Sequence, residues 1–420
     1  MFDRVDVHCI WVSQAVLKLL PDPFPDVPGG EVIREPGMGV FCDNAMDTVM
    51  ALWPKPGSER KREFITSAMR KLNSVGLVGM HDAGVVPQDL DIYKEMAGGE
   101  NWTIRVYAML ECPQRNTFCP EHVKKYSRAD GTLSLQSVKL FAGEFSILRI
   151  QSQKLIPVAD GALGSWGSAM IEPYTDHPWT SGSLLVNGST LTTLTEQFAL
   201  AGLQVNIHAI GDLANRLAID AMSSALAKRC SRSTLKECQS RHRFRIEHSQ
   251  IIHVDDQARM HEIGIIPSIQ PTHATSDMAY AQDRLGEERT KTEAYRMKSL
   301  LPLNPVLGSD FPVEPPNPFE GIFAAVARRS PRTGLGADGG KKGWHLEEAL
   351  SIEQALEGFT KGAAHGAFLE GKAGVIAEGA FADWVVLDEP IGTMDIDKLR
   401  SIQVRETWVG GKQVYKRDND

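Results

Sequence analysis

The sequence predicts an α/β fold, a parallel (β/α) barrel, and three observations carry that reading. Helical patterns and short β-branched runs alternate from about residue 60 to residue 310, as expected of βαβ units around a parallel sheet. No Gly-x-Gly-x-x-Gly fingerprint follows any of the strand-like runs, so the open doubly wound alternative loses its main support. Metal-type and proton-transfer side chains recur at the ends of several runs, where a barrel builds its site from the loops that follow its strands.

Taken in order, a helix over 59–74 follows Ser58 as N-cap and leads into LVGMHDAG at 77–84. A helix over 87–97 leads into WTIRVYAML, and a loop rich in Pro, Cys and Arg precedes SLQSVKLFA. Helices over 190–201, 212–229 and 254–263 precede LQVNIHAIGD, RFRIEHSQII and IGIIPSIQP, and one over 292–301 precedes NPVLGSDFPV. Seven strands are therefore expected, near 77–82, 104–110, 135–141, 203–208, 243–248, 264–269 and 305–310. A helix over 351–368 ends the alternation. The tail, AGVIAEGAFADWVVLD and VRETWVGGKQVYKR, reads as β-rich segments with Gly turns, too short for a domain without a partner sheet. The expected division is a barrel domain over 1–370 and a small β-portion over 371–420.

Composition narrows the function classes. With 42% hydrophobic and 23% charged residues, the chain is neither disordered nor fibrous. A net charge of −8 argues against a nucleic-acid partner, which calls for a basic surface. No apolar run approaches the ~18 residues of a membrane helix. The opening carries Asp3, Asp6 and His8, unlike a signal peptide. The six cysteines are too few for a disulfide scaffold, and their closest spacings, seven (Cys112, Cys119) and eight (Cys230, Cys238), match no zinc knuckle. They read as free thiols in a reducing compartment, which makes the expected location cytoplasmic.

Four strand ends carry the chemistry: Lys139, His208, His248 and Asp310. Each alone has a plainer explanation, a satisfied histidine, a turn-capping aspartate or a lysine paired with a carboxylate. Together, on the tips of four strands, they form a set. Two neutral imidazoles suit zinc or another borderline-soft divalent ion. A lysine can join only without its charge, for instance as a carbamate bridging two ions. A carboxylate beside such an ion can accept a proton from water. This is the kit for metal-assisted hydrolysis at a carbonyl or imine carbon.

These residues resemble the amidohydrolase superfamily, and most closely its amidohydrolase-3 branch, which includes N-substituted formamide deformylase-like enzymes. The likeness rests on DVHCIWVSQAVL, GGEVIREPGMGVFCDNAMD, GMHDAG, VKLFA with DGALGS, NIHAIGD, RIEHSQ, QPTHATSDM, LGSDFPVEPPNPFEGI and GAFADWVVLD, which span the chain almost end to end. It implies a TIM-like (β/α)8 metal-dependent hydrolase barrel with a small β-sandwich built from both chain ends. It also implies metal ligation by Lys139, His208, His248 and Asp310, with Asp310 as catalytic base, and one or two zinc or other divalent ions. His8, His273 and Asp277 are expected to line the substrate pocket. The implied substrate is a small amide, with a homodimer as an open option and neither nucleic acid nor membrane as partner.

Two departures stand out. The branch carries a His-x-His on strand 1, and no His-x-His occurs in these 420 residues; the seven strands fit family positions 2 to 8, so strand 1 is expected to be missing. Residues Gly143 to Ala159 interrupt the VKLFA–DGALGS pattern and read as a loop insertion or, the favoured alternative, retained intron sequence. The competing functional readings are a catalytically inactive chain that keeps only the pocket, and a lyase using Lys139 as a Schiff base.

Overall fold

The computed structural model describes residues 1–3, 9–27, 30–142, 161–182, 184 and 186–418. Strands β1 (Phe2–Asp3), β2 (Cys9–Trp11), β3 (Gly30–Ile33) and β4 (Val40–Asp43) form an antiparallel sheet in the order β1-β2-β4-β3. Helix α1 (Gln14–Leu17) follows β2, and α2 (Asn44–Met50) follows β4. Ile10, Phe24, Phe41 and Val49 bury one another in an apolar cluster separate from the main core. Residues 51–57, ALWPKPG, then run as a fully exposed connection.

The central sheet holds β5 (Gly79–Val85), β6 (Arg105–Leu110), β7 (Tyr126–Ser127), β8 (Leu133–Phe141), β9 (Gln204–Ala209), β10 (Arg245–His248), β11 (Ile266–Ile269) and β12 (Val306–Leu307). Apart from β7, a short antiparallel addition to β8, all neighbours are parallel, in the order β5-β6-β8-β9-β10-β11-β12. These are the seven expected strands in their expected order, and no eighth joins β5 to β12 among the described residues. The sheet is curled. His81 of β5 and Arg245 of β10 touch at 2.8 Å, whereas four strand spacings on a flat sheet would separate them by about 19 Å. Every residue of β6 is buried, the continuous apolar run typical of a parallel strand covered on both faces.

Helices α3 (Ser58–Ser74), α4 (Pro87–Met96), α5 (Gly188–Leu200), α6 (Asp212–Arg229), α7 (Leu235–His242), α8 (Val254–Ile263), α9 (Pro271–Asp277), α10 (Ala281–Thr292) and α11 (Pro318–Ala327) accompany the strands. Several starts are encoded locally, but not that of α3, where Gly57 and not the expected Ser58 is the N-cap, with no side-chain bond. The Asn187 side chain accepts from the Thr190 N–H, and Thr234 with Glu237 forms a capping box. Pro opens α4, α9 and α11.

Two expected helices differ. The helix expected over 292–301 is absent: α10 ends at Thr292, Ala294 bridges Ile251, and the Tyr295 N–H donates to the Gln250 carbonyl at 2.8 Å. Pairing with the segment after β10 holds this stretch out of helical geometry. The helix expected over 351–368 splits into α12 (Ile352–Glu357), a π turn over Gly358–Gly362, and α13 (Ala363–Gly366). A Cβ on Gly358 would fall 2.5 Å from Leu307, and one on Gly362 would fall 2.2 Å from the Pro305 carbonyl. The wide turn and its glycines thus let this backbone ride directly on β12.

The tail forms an antiparallel sheet of β13 (Trp384–Leu387), β14 (Val404–Val409) and β15 (Lys412–Lys416), with Trp384 and Trp408 stacked across the first pair. It docks through a buried bidentate pair: Arg105 Nε and Nη2 lie 2.6 and 2.9 Å from the Asp383 carboxylate. Thr407 Oγ1 also donates to the Asn73 carbonyl at 2.7 Å.

The cysteine reading is corrected. Cys9–Cys42, Cys112–Cys119 and Cys230–Cys238 are disulfides, and no free cysteine remains. Cys9 and Cys42 lie directly opposite across β2 and β4, Cys112 and Cys119 close a short loop after β6, and the third pair ties α6 to α7. Spacings that fit no metal knuckle fit short covalent loops, and the argument for a reducing compartment falls with the thiols. No helix among the described residues is long and apolar enough to cross a membrane.

Candidate active site

Alternate residues of a strand share a face, and residues directly opposite on neighbouring strands share it too. Phe141 of β8, His208 of β9 and Glu247 of β10 are opposite one another, and Lys139, Asn206 and Arg245 lie two residues earlier on the same strands. Both rows face the barrel interior, since Arg245 reaches His81 across it. His248 should then point outward. Its φ of 75° breaks the pleat and swings the ring back, so that it lies 4.4 Å from the His208 ring, centroid to centroid.

The remaining predicted residues arrive beyond the strand ends, on α9 and in the turn after β12. Gly211, just after His208, lets α6 start against the 161–182 loop: a Cβ there would meet the Ala169 carbonyl oxygen at 2.1 Å. His273, in the first turn of α9, stacks on His248 with ring centroids 6.0 Å apart. Asp310 lies in the turn after β12, also at positive φ (58°), with Oδ2 4.0 Å from His273 Nε2. That Nε2 is buried and has no hydrogen-bond partner among the described residues. His208, His248, His273 and Asp310 thus form one contiguous row. Lys139 sits deeper, its ammonium nitrogen 4.9 Å from the Phe141 ring centre. Asp277 stands in a separate network, accepting from Gln250 Nε2 at 2.9 Å and from the Tyr280 and Tyr295 hydroxyls. His8 and the interrupting segment Gly143 to Ala159 lie outside the described residues.

Burial sets the electrostatics. It lowers the Lys139 ammonium, an effect opposed by the carboxylates of Glu247, Asp310 and Glu111. Burial would raise Glu247, but Arg245 and Lys139 outweigh it and hold the carboxyl at about 2. Burial takes His248 down to about 4 and, with Arg245, takes His81 down to about 3. Both imidazoles are neutral at pH 7.

The donor set suits a divalent ion in its chemistry. Gln270 Oε1 lies 3.0 Å from His248 Nδ1. The amide oxygen accepts there, which fixes the tautomer that offers Nε2 as a ligand, the usual way a second group orients a metal-binding histidine. The set is open rather than caged. Among the described residues the only His, Cys, Asp or Glu trio with ligand atoms within 4.8 Å of one another lies elsewhere, at Cys230, Cys238 and His242.

Sequence reasoning missed Glu247, Arg245 and Gln270. Arg245 donates to Glu247 at 3.0 Å and to Ser268 at 3.3 Å, forming a buried charged core under the site. The signal was the alternation Arg-x-Glu-His in a strand whose every residue is buried, because such charges must be paired.

Fold and site together define a (β/α)-barrel protein with histidines and an aspartate gathered at its strand ends. Residues 1–415 match the amidohydrolase family (Amidohydro_3), and the chain belongs to that family. It is 30% identical to Protein LONG AFTER FAR-RED 3 of Arabidopsis thaliana, over 98% of this chain and 68% of that protein. It is 24% identical to N-substituted formamide deformylase of Arthrobacter pascens, over 98% of this chain and 72% of that one. Among solved structures, an uncharacterized metal-dependent hydrolase from Pyrococcus furiosus superposes with a TM-score of 0.65 at 25% identity, covering 90% of this chain and 69% of that one.

Proposed function

We propose that this protein is a metal-dependent hydrolase acting on a non-peptide carbon–nitrogen bond of the N-acyl or N-formyl amide type. The observation that carries the reading is the meeting of His208 and His248 on adjacent strand ends, achieved through a left-handed backbone at His248. The names of the similar proteins, a formamide deformylase and a metal-dependent hydrolase, support it. His208, His248 and Asp310 would hold one divalent ion, with zinc favoured by the nitrogen donors. When bound, such an ion polarises a carbonyl and acidifies water. Asp310, the most exposed of the set with 37% of its side chain accessible, faces the mouth and accepts the proton from water. His273 Nε2, buried and unpartnered, donates to or accepts from the substrate amide, and Asp277 braces α9 behind it. Lowering the Lys139 amine favours the neutral form that carbon dioxide carboxylates, so a carbamate there would add a further metal ligand.

The test is formate or carboxylate release from a panel of N-substituted formamides and acyl amides, with metal content measured in parallel. Turnover should vanish on chelation and return with zinc. Asp310→Asn should lower kcat by roughly 10²–10⁴-fold, the range for losing a positioned base. Turnover indifferent to both treatments would refute the reading. Metal binding without turnover on any amide would favour the alternative of a chain that keeps only the pocket.

A further inference from the structure

Away from the barrel mouth, the junction of α6 and α7 gathers a second cluster of ligand-type side chains. Cys230 directly follows α6. Cys238 and His242 lie on α7 four residues apart, and so on one face of that helix. The two sulfurs and an imidazole nitrogen all fall within 4.8 Å of one another. Cys230 and Cys238 are joined as a disulfide, yet each sulfur has a neighbour suited to its reduced form. The Leu226 carbonyl lies 3.6 Å from Cys238 Sγ, placed to accept a thiol hydrogen bond. Arg241 Nη2 lies 3.6 Å from Cys230 Sγ, placed to donate to a thiolate, and it also reaches Ser233 Oγ at 3.0 Å, an alternative partner when the sulfur is otherwise engaged. A disulfide has neither a proton to give nor a charge to stabilise. Cys238 is fully buried, whereas Cys230 and His242 are partly exposed, so the cluster opens to solvent on one side.

We propose that Cys230, Cys238 and His242 form a thiol-gated zinc site, closed as a disulfide when oxidised and holding one zinc ion when reduced. A dithiol reductant gives two electrons and two protons to the Cys230–Cys238 bond and leaves as its own disulfide. Binding of Zn²⁺ then releases one proton from each thiol, and the two thiolates with the imidazole supply three ligands, leaving the fourth position to water.

Cobalt(II) is the probe, because a thiolate-to-cobalt charge-transfer band requires sulfur ligands and the barrel set contains none. The full chain is reduced with a dithiol, freed of it without air, and titrated with cobalt(II), with far-ultraviolet circular dichroism recorded alongside. The reduced chain should show the band at one ion per molecule and lose it to added zinc, while the oxidised chain shows none. The band should persist when Cys9, Cys42, Cys112 and Cys119 are all replaced by Ser, and disappear in Cys230→Ser and in Cys238→Ala. His242→Gln should keep the thiolates but weaken binding at least roughly tenfold, since even losing a residue that merely orients a ligand costs that much. A reduced, folded chain without the band overturns the proposal, and so does a band that survives Cys230→Ser. Loss of the helical signal on reduction also overturns it, because the pair would then be a structural staple.

Discussion

Two residues of the site, His248 and Asp310, hold left-handed backbone conformations that cost a non-glycine residue about 1–3 kcal/mol each. Strain of this kind concentrates where a side chain must be aimed, and at His248 the aim is visible in the ring turned back onto His208. The sequence exposed His208, His248 and Asp310 because each ends a recognisable run. It hid the reach of the Arg245–Glu247 core to His81, because that partner comes from a strand 164 residues away. That core has a pH consequence. His81 and His248 fall from an ordinary 6.5 to about 3 and about 4 in the folded state. As pH drops from 6.5 towards 4, the unfolded chain takes up protons at these imidazoles that the folded chain refuses, so stability is lost across that window. His81→Gln keeps a neutral acceptor for Arg245 and removes one of the two groups. Its urea midpoint should therefore fall less than the parent's between about pH 7 and pH 4.5; an equal fall would show that His81 is not a source of the acid sensitivity.

Among the elements, the helices expected over 212–229 and 254–263 were legible to the residue, as α6 and α8, although the capping box of α7 went unread. Those overridden by tertiary contact were not, as the pairing of Ala294 with Ile251 and the π turn over β12 show. The β-rich tail was legible as strands, but its attachment was not, because Arg105 and Asp383 lie 278 residues apart. With side-chain exposures of 7% and 8%, the pair is buried, and removing one partner strands a charge. Asp383→Ala should cost about 3–5 kcal/mol in chemical denaturation, while replacing both residues with apolar ones of similar size should cost much less. If the single and double replacements proved equally damaging, the contact would be packing rather than charge.

At the scale of the whole molecule, the order of the seven barrel strands could be read from alternation alone, since short right-handed crossovers leave few other arrangements. The antiparallel sheet at the start could not, because its strands are two to four residues long and carry too little periodicity. Nor could the disulfides, which depend on proximity rather than spacing. That first sheet has its own apolar cluster, its own disulfide and a fully exposed, twice-prolyl connection to everything that follows. A protease therefore meets, at residues 51–57, exposed backbone held only by the turn bonds that carry α2 on to Trp53. Thermolysin should cleave before Leu52 early in a digest and release an N-terminal fragment that itself resists further attack. Resistance of this stretch while α3 is being degraded would show that the connection is shielded in solution. If the cut occurs as expected, the leading sheet can be lifted from the barrel by a single nick, and the proposed metal binding and hydrolysis can be assayed with and without it.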